Sequence, residues 1–225
     1  MARKLKIPGL ALLAVLAVSG TLASAAHAAP FAFRSDGFLT KIIGESGGLK
    51  FTVEGGSLTC AKTTYLGEQA GEENELLLVF PMYENCKFGA MGLTADVEPG
   101  GCTFEFFQDN NTENGKFDVI TSILCPVGGK MTITVTAMGQ TSCTITLGEQ
   151  TLGTGTVFTN GKIEAFELLD YKGDINVSGV KYNQEAGTGL SKCATADGKA
   201  NGTYIDVPTF TGRNEKEENT NIWVA

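Results

Sequence analysis

Six cysteines, all C-terminal to residue 59, constrain this chain more than any other feature of its sequence. Cys60, Cys86, Cys102, Cys125, Cys143 and Cys193 are separated by 26, 16, 23, 18 and 50 residues. No C-x-x-C occurs, and these spacings match no zinc or iron–sulfur pattern, so thiolate metal centres and dithiol redox catalysis are not expected. An even set in an exported chain reads as three structural disulfides. One pair follows from geometry. Cys102–Phe107 and Phe117–Cys125 both read as strands, joined by the turn-rich Asp109–Gly115. Folding that hairpin about its centre sets Cys102 opposite Cys125, Phe104 opposite Ile123 and Phe106 opposite Thr121, with the cysteines on the apolar face. Order and elimination then pair Cys60 with Cys86 and Cys143 with Cys193.

Export is read from the N-terminus. Arg3, Lys4 and Lys6 form a positive region, Leu10–Val18 is an apolar stretch too short to span a bilayer, and Ala26-His27-Ala28 fits the A-x-A cleavage rule. Residues 1–28 are therefore expected to be a signal peptide, with cleavage before Ala29 and a secreted, extracellular product. The longest later apolar run, Leu76–Phe80, is also too short to cross a membrane. Removing 1–28 leaves 14 basic residues against 25 acidic ones, a net charge of −11. Such a balance speaks against nucleic-acid binding, whose footprint is basic. The same cut removes His27, the only histidine. Ser-His-Asp and Cys-His nucleophile systems and histidine-zinc catalysis are thereby excluded from the mature chain.

After residue 28 helical periodicity is almost absent. The chain reads as short runs of Thr, Val, Ile and Phe cut by Gly, Asn and Asp. In Met131–Ala137 the alternation points Ile133 and Val135 inward and the threonines outward. About a dozen strands at spacings near 10–15 residues imply an all-β fold, an antiparallel β-sandwich stapled by three disulfides, as one sandwich or as two small stacked ones. We read 29–225 as a single all-β domain with a candidate internal break at 126–130, where Pro126-Val127-Gly128-Gly129 follows Cys125. Ile163–Leu169 reads as a strand or as one short helix, and Arg213–Asn219 as a solvated hairpin tip.

The strand Phe51–Gly56 leading to Cys60, the run Pro81–Cys86, the Cys102-Thr103-Phe104 strand and the ending Asn201–Tyr204…Thr211-Gly212, together with the signal peptide, resemble a group of uncharacterised secreted all-β proteins of soil actinobacteria. The resemblance implies a fold and assigns no activity or site.

Three candidate sites stand out. Asp109–Gly115 has the oxygen-rich side chains calcium prefers, but Asn114 and Ile120 occupy positions where an EF-hand needs Gly and Glu, so a polar hairpin loop is the primary reading. Thr132, Thr134 and Thr136, with Thr144 and Thr146, form either a flat carbohydrate-binding face or the solvated side of a sheet. Glu105, Asp118, Glu164 and Glu167 lie beside aromatic residues, as a histidine-free glycosidase acid pair would. The leading expectation is a non-enzymatic binding or cell-envelope protein without a cofactor, whose partner is an envelope polysaccharide or another secreted protein. A carbohydrate-active enzyme using paired carboxylates is the alternative. Mass spectrometry of protein from culture supernatant should find an N-terminus at or next to Ala29, and intact Met1 on extracellular protein would refute the export reading.

Overall fold

The structure is a computed structural model and describes residues 32–113, 115–163, 168–188, 193 and 195–225, with side chains omitted at 108–113, 163 and 168. The expected signal peptide lies outside the described residues. Seventeen strands follow in order: β1 (Phe33–Ser35), β2 (Leu39–Ser46), β3 (Lys50–Val53), β4 (Gly56–Ala70), β5 (Glu73–Asn74), β6 (Leu76–Phe88), β7 (Leu93–Glu98), β8 (Thr103–Glu113), β9 (Lys116–Leu124), β10 (Met131–Ala137), β11 (Gln140–Leu147), β12 (Gln150–Ile163), β13 (Leu168–Ala186), β14 (Ala196–Asp206), β15 (Thr209–Arg213), β16 (Asn219–Thr220) and β17 (Ile222–Val224). Every pairing is antiparallel, and no helix occurs among the described residues.

Three long strands organise the sheet. β4, β6 and β13 each take part in two closed circuits of pairing. One circuit runs β6–β8–β9–β12–β13–β15–β2–β4 and returns to β6. The other runs β6–β7–β10–β11–β13–β14–β3–β4 and also returns. Strands from both sides of 126–130 pair with one another, β10 with β7 and β12 with β9. The connections β2 to β3, β7 to β8, β9 to β10, β11 to β12 and β14 to β15 cross from one circuit to the other, whereas β8–β9 and β10–β11 are hairpins within one circuit.

Each shared strand exchanges its inward face where the circuits meet. On β13 the buried set is Tyr171, Ile175 and Val177, then Val180, Tyr182 and Gln184. A period of two allows that slip only if the pleat is broken once. Gly179 breaks it at φ 76°, a conformation costly to a residue with a Cβ, and the β13–β14 register shifts there. On β6 the set changes from Leu77, Val79 and Pro81 to Cys86 and Phe88, across Asn85 at φ 53°. On β4 it changes between Cys60 and Thr63. Gln150 mends the ladder beside Gly179: its side-chain Nε2 donates to the Lys181 carbonyl at 2.9 Å and its Oε1 accepts the Lys181 N–H at 2.7 Å.

One continuous core fills both circuits. The first holds an aromatic cluster in which Phe158 meets Phe106 and Tyr171 at 5.3 Å and Phe33 at 5.4 Å, while Tyr171 meets Phe210 at 5.2 Å. A separate small sheet, β17–β1–β5, covers this end and contributes Phe33. The Asn160 side chain completes it by pairing with both the N–H and the carbonyl of Val224 at 2.7 Å.

The three disulfides are Cys60–Cys86, Cys102–Cys125 and Cys143–Cys193, as expected from the sequence. Phe104 faces Ile123 and Phe106 faces Thr121 in the predicted register. Two local expectations change. The Asp109–Gly115 loop is largely strand, because β8 continues to Glu113 with Thr112 opposite Phe117 after a register shift. Ile163–Leu169 is neither one strand nor one helix: its ends belong to β12 and β13, with Ile163 opposite Leu168, and 164–167 lie outside the described residues.

Inside the aromatic cluster, the Tyr171 hydroxyl is buried without a hydrogen-bond partner. An orphaned hydroxyl costs about 1–3 kcal/mol, whereas the ring itself is well packed. Tyr171→Phe should therefore raise unfolding stability by about 1 kcal/mol in urea titration, and a loss of stability would show that the hydroxyl is satisfied.

Candidate functional site

Burial alternates strictly along the first part of β6. Leu77 and Val79 are inside, so Leu76, Leu78, Phe80 and Met82 face out, and all four are between 37% and 44% exposed. Pairing extends this row sideways. Leu66 of β4, itself 41% exposed, lies opposite Phe80, and Ile43 of β2 lies opposite Leu66. On the other side Phe107 of β8 lies opposite Leu76, and Ile120 of β9 opposite Phe107. Together these side chains form one contiguous row of partly exposed apolar groups across β2, β4, β6, β8 and β9, and contiguous exposed apolar surface of this kind is where interaction sites are found. Glu68, Glu75, Glu84, Glu105 and Asp118 lie on the same strands or at their ends, and none has an ion-pair partner among the described residues. Two bases in register with these acids are engaged, Lys62 with Glu45 at 2.8 Å and Lys41 with Glu217, while Lys116 at the start of β9 shares the face of Asp118. The stripe is thus apolar with an acidic rim.

The threonine face has a different character. Pairing builds one row of Asp96, Thr134, Thr144 and Glu185 and another of Glu98, Thr132, Thr146 and Asn183. The five threonines are half-buried, and Met131, Ile133 and Val135 lie beneath them as the alternation requires. No aromatic ring belongs to either row, so the rows offer hydroxyls and carboxylates without a stacking platform.

The acidic residues beside aromatics separate on folding. Glu105 and Asp118 point outward, whereas Phe104, Phe106 and Phe117 point inward. Glu105 pairs with Ser122, four residues along β9 from Asp118, or roughly 13 Å of strand. That exceeds the separation a glycosidase acid pair uses. Glu164 and Glu167 lie outside the described residues. Glu105 instead shares a surface depression of about 340 Å³ with Glu75, Leu76 and Phe107, a partner that sequence adjacency did not suggest. The Asp109–Glu113 side chains are outside the described residues, and no cluster of three or more metal-ligating side chains occurs among the described ones.

A buried polar chain lies where the circuits meet. The Tyr65 hydroxyl donates to Asp206 Oδ2 at 2.5 Å and lies 2.6 Å from the Tyr204 hydroxyl, which is placed to donate to it. The Val207 N–H donates to Asp206 Oδ1 at 2.9 Å. Nearby, the Tyr83 hydroxyl approaches Met131 Sδ at 3.8 Å. Burial raises the pKa of Asp206, and the hydrogen bond from Tyr65 only partly offsets it; burial also raises those of Tyr65, Tyr83 and Tyr204. With Asp206 wholly buried, this chain fixes the packing of β4 against β14 and has no route to a substrate.

Among the described residues no helix is long and apolar enough to cross a membrane. Neither protein-family models, nor curated proteins, nor solved structures match this chain.

The raised pKa of Asp206 gives folding a signed pH dependence. Folded protein holds the Asp206 proton at pH values where the unfolded chain has lost it. This contribution is complete below the ordinary carboxylate range and lost as pH rises through the raised value. Asp206→Asn removes it. Unfolding free energy of the variant relative to wild type should therefore increase as pH rises above the ordinary carboxylate range, by about 1.4 kcal/mol per unit of pKa elevation. Parallel profiles would show that Asp206 titrates normally.

Proposed function

We propose that this protein is a secreted, non-enzymatic binding protein that docks another extracellular protein on the outer face of β6. The carrying observation is the stripe of Leu66, Leu76, Leu78, Phe80 and Met82, which exposes large apolar side chains on a sheet face where the fold does not require them. Charge complementarity sets the partner's chemistry: the acidic rim and the net charge of −11 after loss of residues 1–28 favour an apolar patch bordered by Lys and Arg. Three disulfides, the N-terminal signal sequence and the absence of mature-chain histidine support an extracellular scaffold rather than a general hydrolase. The threonine face is the weaker docking surface because it has hydroxyls but no ring to stack on a sugar.

The test uses chemical cross-linking of purified mature protein to proteins of its own culture supernatant, with Leu78→Lys/Phe80→Lys as the control variant. Both positions are partly exposed, so the variant should keep its melting temperature within a few degrees. Capture of a basic protein by wild type should weaken at high salt and fall at least tenfold in the variant. Capture that ignores both changes refutes docking on β6. Release of reducing sugar from envelope polysaccharide, lost in Glu105→Gln, would replace this reading by carboxylate-pair catalysis in the Glu75–Glu105 depression. Self-association abolished by the variant would make the partner a second copy of this chain.

A further inference from the structure

Four methionines lie among the described residues, and their access to solvent differs widely. Met131 is 4% exposed, and its thioether lies 3.8 Å from the Tyr83 hydroxyl within the core. Met82 is 38% exposed and stands on the outward face of β6 between Phe80 and Glu84. Met91 and Met138 are 74% and 93% exposed, in the β6–β7 and β10–β11 turns. The end of β6 at Phe88 is roughly 20 Å of strand beyond Met82. Because β10 pairs with β7, with Thr136 opposite Thr94, both turns lie at that far end and off the stripe.

Met82 gives the stripe a chemistry that its leucines and phenylalanine lack. Every cysteine is bridged, so the thioethers are the groups most open to mild two-electron oxidants. With a hydroperoxide, the sulfur lone pair attacks one peroxide oxygen and the O–O bond breaks. Sulfur gains that oxygen and gives up two electrons, while the other oxygen leaves as water or an alcohol. The product, methionine sulfoxide, carries an S=O acceptor where an apolar sulfur had been. On a free sheet face water hydrates that oxygen, and an apolar partner has to strip the water away in order to dock.

We propose that Met82 is an oxidation site that regulates docking on the β6 stripe: hydroperoxides convert it to the sulfoxide, and the sulfoxide releases the partner. Met91 and Met138 react first, being more exposed, and their sulfoxides leave docking untouched because they lie off the stripe. Met131 is shielded, so an oxidant dose that reaches Met82 leaves the core intact. The change is reversible in its chemistry, since methionine sulfoxide is reduced enzymatically to the thioether. Regulation of docking rests on the reading of the stripe as a docking face, whereas the order in which the sulfurs react does not.

The test treats purified mature protein with graded doses of hydrogen peroxide. Peptide mapping by mass spectrometry follows each sulfoxide, and cross-linking measures capture of the basic protein from culture supernatant. Met138 and Met91 should oxidise first, Met82 next and Met131 last, with the melting temperature unchanged until Met131 reacts. Wild-type capture should fall about tenfold in step with Met82 sulfoxide, and methionine sulfoxide reductase should restore it. Met91→Leu/Met138→Leu should capture as the wild type does and lose capture on oxidation to the same extent. Met82→Leu, whatever its starting level, should capture equally before and after the dose that releases the wild type. Capture that persists in protein carrying Met82 sulfoxide, or that falls equally in Met82→Leu, overturns this inference alone. Oxidation of Met131 as fast as Met82 also overturns it. No capture before oxidation overturns the docking reading and this inference together.

Discussion

A strand whose two halves pair with different neighbours has to serve two interiors, and that requirement shapes this protein. β4, β6 and β13 are each shared by both closed circuits, yet side chains on a regular strand alternate with period two and cannot face both interiors in one phase. The solution is a single break of the pleat per strand, at Gly179 on β13, at Asn85 on β6 and just after Cys60 on β4. Much else follows from these breaks. Gln150 substitutes for backbone beside one of them, the Cys60–Cys86 bridge braces the other two, and the Tyr204–Tyr65–Asp206 chain occupies the level at which the interiors join.

Aromatic packing is densest in the first circuit, while disulfides brace both. The first circuit is filled by Phe33, Phe104, Phe106, Phe158, Tyr171 and Phe210, whose edge-to-face and tilted contacts add to their apolar burial. The second combines Phe51, Phe88 and Tyr182 with smaller side chains such as Ala95, Val135, Ile145 and Val180, and it carries the Cys143–Cys193 bridge across the longest cysteine spacing, 50 residues. In chain-entropy terms a loop of that length is worth about 4 kcal/mol.

Much of this was legible in the residues. The strand alternation in Met131–Ala137, the hairpin register around Cys102–Cys125 and the all-β class all rest on local patterns that the sequence carries directly. Missing were β2 and β15, because Leu39–Ser46 and Thr209–Arg213 mix apolar, small and charged residues with no clean period and become strands only by pairing with each other and with β4 and β13. The stripe was also hidden. Leu76–Phe80 reads as a uniformly apolar run, and only the structure shows that Leu77 and Val79 are inside while their neighbours are not. The β-bulge at Ser142, where Val135 pairs with Cys143 but Thr136 with Thr141, gave no signal whatever, since a bulge is a property of two strands and neither one specifies it alone.

Pairing across the whole chain also orders the events of folding. β2 needs β15, β3 needs β14, and both circuits close only through β13, so neither can be completed before residues beyond 200 are available. An N-terminal fragment holding β2 to β9 would form hairpins and leave the inner faces of β4 and β6 uncovered. Topologies so dominated by distant partners acquire structure slowly, over milliseconds to seconds, and in a late, concerted step. The long-range order of this chain therefore waits on its last quarter, and anything that delays β14 and β15 delays both interiors together.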